Sequence, residues 1–164
     1  MFTSPAEAIV YAMKTSKLIV HRFIDDLKPA EFEYQPTPGG NCAAWILGHL
    51  TLTDRRSLVW LGATDLPTLP PGYEEMFQRT GQKAGDQKGY GDPKVLVNLF
   101  DAHRDQLAEV LKTVDPAKFL EQPAMQSPMF SYKGEAYLFM ALHTAVHMGH
   151  VSAIRRALGY PPVS

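Results

Sequence analysis

The sequence predicts an all-α protein, a four-helix bundle. Three observations carry that expectation. Four long stretches keep apolar residues at the 3.6-residue period, strand signal is almost absent, and cap, proline and glycine signals bracket the periodic stretches. No internal repeat, low-complexity tract or strand–helix alternation competes with them. At 164 residues, 45% hydrophobic and 20% charged, the chain is expected to form one domain, 1–164, around a single continuous core.

The first helix opens at Ser4-Pro5-Ala6-Glu7, where Ser4 can cap, Pro5 suits the first helical position and Glu7 completes a capping box. It runs through Ile9, Val10, Met13, Leu18 and Phe23 to about Leu27, and Pro29 stops it. His21, beside Arg22, reads as a surface or supporting group rather than a ligand. Pro36, Pro38 and Gly39-Gly40 bar regular structure before Asn41, a good cap for a second helix from Cys42 to about Leu61. That helix presents Trp45, Ile46, His49, Leu50, Leu52, Leu58 and Val59, with His49 among apolar neighbours on the inward side.

Residues 62–92 are rich in Pro and Gly, with one helical turn at Tyr73–Gln78; such a long link is usually a crossover or a site-covering loop. Asp92-Pro93 starts the third helix, whose inner stripe runs from Val95 through Leu99, Phe100, His103 and Leu107 to about Val114. His103 reads as a core residue ahead of a site-lining one. Asp115-Pro116 opens a short helical turn, and Met129–Tyr132 carries a little extended character. The fourth long helix, Gly134 to Leu158, ends at Gly159 with Pro161 and Pro162 beyond. The long link between helices two and three can return the chain to the same end, giving an up-down-down-up order.

Charge and composition exclude several functions. Net charge is −1 and no Lys/Arg block exists, so nucleic acid is not an expected partner. No run of about 18 uncharged apolar residues could span a membrane, and the N-terminus lacks a basic secretory region. The single cysteine, Cys42, suits a reducing cytoplasm. Near a helix start its thiol could be activated, but a small residue packed against Trp45 is the better reading.

The chemistry concentrates in His143-Thr-Ala-Val-His147-Met-Gly-His150. Helical spacing puts the three imidazoles on one stripe with Met140, Val151 and Ile154, which is expected to face inward. Buried imidazoles need a shared partner. Three protein ligands with an open position is the usual catalytic zinc arrangement, and zinc or nickel suits imidazole. An i, i+4 pair on one helix with His49 from another meets it. His143 and His147 are that pair; the competing choice is His147 with His150, an i, i+3 pair, and the first is preferred, which leaves His150 one turn deeper as a catalytic acid/base or supporting donor. Other site types fail on inspection. Thr144 follows His143 where a zinc protease needs glutamate, and no glutamate has a histidine three residues on, as di-iron bundles require. A nucleophile elbow, a P-loop and a dinucleotide fingerprint are missing as well.

Trp45-Ile-Leu-Gly-His49-Leu, followed by His143-x-x-x-His147-Met-Gly and then Ile154-Arg-Arg-x-x-Gly159-x-Pro161, resembles the DinB/YfiT-like superfamily of metal-dependent bundles. The resemblance implies an up-down-down-up four-helix bundle, often a homodimer, with a divalent metal on His49, His143 and His147 and water in the remaining positions. Zinc or nickel is the expected ion, with iron or manganese as alternatives. One departure stands out: the family commonly has glutamine where this chain has His150. Its better-understood members transfer a low-molecular-weight thiol such as bacillithiol or mycothiol, and others resemble hydrolases. The resulting expectation is a metal-dependent thiol S-transferase acting on a small molecule; a non-catalytic metal- or ligand-binding dimeric module is the alternative. Apolar faces on helices one and three would let such a bundle pair.

Overall fold

The computed structural model describes residues 1–78 and 89–163. They form α1 (Pro5–Ile24), α2 (Ala43–Trp60), the short α3 (Tyr73–Phe77), α4 (Pro93–Lys112) and α5 (Lys133–Ala157), with 3-10 turns at Pro29–Glu31 and Pro116–Leu120. Among the described residues there is no strand, only an isolated bridge between Ser127 and Phe130. The four long helices make the bundle expected, with α1 against α5 and α4, and α2 against α4 and α5.

Local chemistry sets most helix ends. The Ser4 hydroxyl accepts from Glu7 N–H at 3.2 Å, while the Glu7 carboxylate accepts from the N–H and hydroxyl of Thr3, each at 2.7 Å. Glu135 opens α5 similarly, accepting from the N–H groups of Ser131 and Tyr132 at 2.7 and 3.3 Å. Two boundaries differ from expectation. Cys42, not Asn41, caps α2, its sulfur accepting from Trp45 N–H at 3.5 Å. And α1 ends at Ile24 rather than near Leu27, because Leu27 N–H already turns back to the Ile24 carbonyl. Three apolar residues that trace the periodicity, Leu18, Val59 and Val95, face solvent.

The core divides into two apolar clusters. One gathers Val20 and Ile24 of α1, the first half of α2, Leu96 and Phe100 of α4, and Met148 and Val151 of α5. The other gathers Ile9, Val10 and Met13, then Leu58, Leu107, Leu111, Ala136, Tyr137 and Met140. So the N-terminal parts of α1 and α5 share a cluster with the C-terminal parts of α2 and α4.

Between the clusters sits one polar layer. Arg104 of α4 is 1% exposed. Its Nε donates to Asp54 of α2 at 2.7 Å, one terminal nitrogen to Ser16 of α1 at 2.5 Å, and the other to Thr144 of α5 at 3.0 Å. One side chain thus ties all four long helices together. Ser16 and Thr144 pass their own protons back to the Met13 and Met140 carbonyls, so each hydroxyl both gives and takes. Asp54 is fully buried, and its Oδ1 has no partner among the described residues. Burial pushes its carboxyl pKa up, against the pull of Arg104.

At the far end, Arg155 of α5 donates to the Phe23 carbonyl at 3.0 Å and grips the Asp26 carboxylate with two nitrogens. Its guanidinium lies 4.7 Å from the centre of the Tyr160 ring, whose hydroxyl donates to Glu31 at 2.7 Å. Gly159 makes the turn between them possible, with φ at 87°, a left-handed conformation that favours glycine. Arg155, one of the motif residues, therefore works structurally: it fastens the end of α5 to the end of α1.

Substitution at these ion pairs has defined consequences. Arg104→Met strands a buried carboxylate and should cost about 3–5 kcal/mol in denaturant unfolding, whereas Arg104→Met with Asp54→Leu should recover most of it; equal loss in both would show that the pair is not coupled. His21 lies between Asp25 and Asp101, 2.9 Å from each. Burial lowers its pKa, but the hydrogen bonds to Asp101 and Asp25 outweigh that and raise it above the ordinary value. A raised folded-state pKa gives stability that is present below the unfolded value, about 6.5, and is lost as pH rises through the folded one. The melting-temperature gap between wild type and His21→Gln should therefore be wider at pH 5.5 than at pH 8.5.

Candidate metal centre

Two helices bring three imidazoles together. α2 contributes His49 and α5 contributes His143 and His147, one turn apart. One ring nitrogen from each lies within 4.8 Å of the others. His49 has its ring centre 5.2 Å from each of the other two. Nε2 of His143 and Nε2 of His147 face each other at 3.0 Å. At that separation one ring can donate its Nε2–H to the bare Nε2 of the other, and with both nitrogens bare the two lone pairs can face one cation. Donors on one tetrahedral zinc, bound at about 2.0–2.1 Å, stand about 3.3 Å apart, and the edge between His143 and His147 is of that order. Neutral nitrogen donors also suit the borderline divalent metals.

Aromatic neighbours hold the rings. Trp45 stacks on His49 at 4.8 Å and nearly parallel, 6° apart, as the i, i+4 spacing on α2 allows. It also meets the edge of His147 at 6.3 Å. Phe139, one turn before His143, stacks on that ring at 6.1 Å. Gly48, next to His49, admits Phe77 of α3: a Cβ there would lie 2.1 Å from the Phe77 ring. The absence of a side chain at one position of α2 therefore lets α3 close against the helix.

Two of the three rings border a cleft of about 580 Å³. His49 and His143 line it together with Leu52, Thr53, Arg56, Phe77, Gln78, Phe139 and Met140, and with Met125, Ser127, Met129 and Phe130 from the segment before α5. Phe77 and Gln78 belong to the long link expected to shape the mouth. Residues 79–88 of that link lie outside the described residues.

The remaining expected residues fall elsewhere. His150 is exposed, not one turn deeper on a buried stripe, although its ring centre is 5.5 Å from that of His147. At about 100° per residue it falls about 20° to the outer side of His143, whereas His147 falls about 40° to the inner side. The buried arc of α5 centres on Thr144 and Val151, so His143 marks its edge and His150 lies beyond. His103 is a core residue: fully buried, it donates from Nδ1 to the Leu99 carbonyl at 2.8 Å, and burial lowers its pKa. Burial pushes the Cys42 thiol up, which agrees with the packed reading of that residue. Arg56, Phe77 and the methionines of the 125–129 segment carry no sequence motif that marks them as cleft residues. The one signal available is spacing: Arg56 is seven residues from His49, on the same helical face.

A four-helix bundle with one histidine on α2 and an i, i+4 pair on α5 defines a class of helical proteins with a three-imidazole centre. The chain belongs to the DinB superfamily, whose family model matches residues 18–151. Among solved structures it is similar to YfiT from Bacillus subtilis, described as a probable metal-dependent hydrolase with an unusual four-helix bundle topology. That match has a TM-score of 0.65 at 12% identity and covers 98% of this chain and 91% of the other, a likeness of fold. No curated protein matches the sequence.

Gly48→Ala should cost about 1–3 kcal/mol by driving the Phe77 ring off α2. In a Phe77→Ala background the same change should cost far less. A double-mutant cycle of unfolding free energies checks this, and additive costs would show that the close approach is not what requires glycine.

Proposed function

We propose that the protein is a divalent-metal-dependent enzyme in which His49, His143 and His147 hold one ion, zinc or nickel ahead of iron or manganese. The observation that carries the reading is the convergence of three imidazoles from two helices, two of them lining a cleft large enough for a small molecule. When bound, the ion would lower the pKa of a thiol or water so that a nucleophile exists near neutral pH.

The chain's own residues fit that role. Three imidazoles bring no negative charge to the ion, so the site keeps its full positive charge for an anionic ligand such as a thiolate or hydroxide. Trp45 and Phe139 fix two ring planes before any ligand arrives. The favoured nucleophile is a low-molecular-weight thiol, as the sequence resemblance implies. Its sulfur forms the new C–S bond, the bond to the leaving group breaks with its electron pair, and the thiol proton passes to solvent. With water in its place the same site would hydrolyse, the activity attributed to YfiT. His150 belongs to the proposal as a proton carrier at the outer rim, beside His147 and open to solvent. The reducing thiol pool this chemistry needs fits a cytoplasmic location, and no described helix is long and apolar enough to cross a membrane.

A specific observation favours a second reading, a dimeric metal- or ligand-binding module. Leu138, Leu142 and Val146 stand exposed at i, i+4 and i+8 on α5, a stripe suited to a second copy. On α1 the exposed large apolar residues include Tyr11 and Leu18, and on α4 only Val95 among those described. A pairing face would therefore centre on α5 rather than on α4.

Metal content of protein purified without a His-tag tests the main reading. About one divalent ion per chain is expected, falling below about 0.2 in His143→Ala; wild type below that level would defeat it. His150→Gln separates the roles of that residue. Retained metal with lower rates of thiol transfer to a haloarene supports proton transfer, lost metal makes it a ligand, and no change removes it from the mechanism.

A further inference from the structure

We infer that the cleft beside the three histidines takes a ligand with an apolar body and one carboxylate, and that Arg56 receives the carboxylate. The inference rests on the metal-dependent reading for what happens at the histidine end, and it adds the class of substrate.

The two consecutive arginines of α2 are treated differently. Arg55 is engaged, donating to the Pro67 carbonyl at 2.9 Å and lying 3.6 Å from Glu74. Arg56 lines the cleft and makes no hydrogen bond or ion pair among the described residues. An adjoining depression is lined by Arg56 and by Glu74, the residue that Arg55 already meets. No Asp or Glu is among the cleft's described lining residues. Arg56 is exposed, and a solvated surface arginine is common; this one stands in the wall of a cleft that also holds two of the candidate metal ligands, with no acid among the described lining residues, so its charge favours an anion there.

Spacing and chemistry then define the ligand. Arg56 follows His49 by seven residues on one face, about 10 Å along the helix axis. Between them in sequence the cleft offers Leu52 and Thr53, and from other segments Met129, Phe130 and Phe139. Thioether and aromatic side chains accept an apolar body and adapt to its outline. A planar guanidinium pairs with a carboxylate through two parallel hydrogen bonds, a geometry a neutral amide cannot match. The fitting ligand is an aryl or alkyl carboxylate whose acid lies about 10 Å from its reacting end.

Calorimetric titration of the full chain with 6-phenylhexanoate and with its neutral amide, 6-phenylhexanamide, tests this, with metal content measured on each sample. Wild type should prefer the acid by about tenfold or more. Arg56→Gln should lose that preference, bind the amide as before and keep its metal, while Arg56→Lys should keep part of the preference. Equal affinity for acid and amide in wild type, or no binding of either, overturns the inference. So does a preference that survives in Arg56→Gln but disappears in His143→Ala, because the carboxylate would then sit at the histidines. A preference lost in Arg56→Gln from a wild type that carries no metal would leave the anion site standing and remove the metal-dependent reading instead.

Discussion

The register of the whole bundle depends on one buried guanidinium. Arg104 lies where two apolar clusters meet, and its hydrogen bonds reach Ser16, Asp54 and Thr144, one from each of the other long helices. Apolar packing alone is non-directional and tolerates sliding of one helix past another. A fork of donors that must meet three acceptors does not. The arrangement is costly in desolvation, as the raised carboxyl of Asp54 records, so its return lies in specifying one alignment rather than in net stability.

That alignment is what the candidate centre uses. Thr144 is the neighbour of His143 in sequence, and Asp54 lies five residues beyond His49. Fixing Thr144 and Asp54 on the same guanidinium therefore fixes, within little more than a turn, the heights at which the imidazoles of α5 and α2 project. The site gains a rigid frame from a polar layer that does not touch it. Trp45 and Phe139 then restrict ring rotation from either side, and Gly48 lets α3 close the flank. The cleft wall is thus built partly from elements that contribute no donor.

The likeness to YfiT at 12% identity illustrates the same separation. A bundle tolerates wide change in its apolar residues so long as volume and pattern survive. The residues by which this sequence resembles its superfamily are of another kind. His49, His143 and His147 form the triad, and Trp45 supports two of its rings. Gly48, Arg155 and Gly159 answer to local geometry: a close approach, a helix-end clamp and a left-handed turn.

Much was legible in the sequence because it rests on local rules. Helical period, caps and prolines located four helices to within a few residues, and i, i+4 spacing made His143 and His147 neighbours whatever the rest of the chain did. The choice of His49 as their partner rested on its inward, apolar setting on the second helix, and the superfamily resemblance implied the same residue. Periodicity could not settle how far round α5 the buried arc extends, and so it placed His150 inside when the residue is exposed. Nor could it find the Arg104 layer, whose partners are 88, 50 and 40 residues away, or the cleft walls supplied by Phe77 and the 125–130 segment. Sequence by itself determined what each segment is, because secondary structure answers to neighbours a few residues apart. Only the tertiary structure decided which faces meet, because contacts between distant segments are set by packing and by buried polar pairing across the whole bundle.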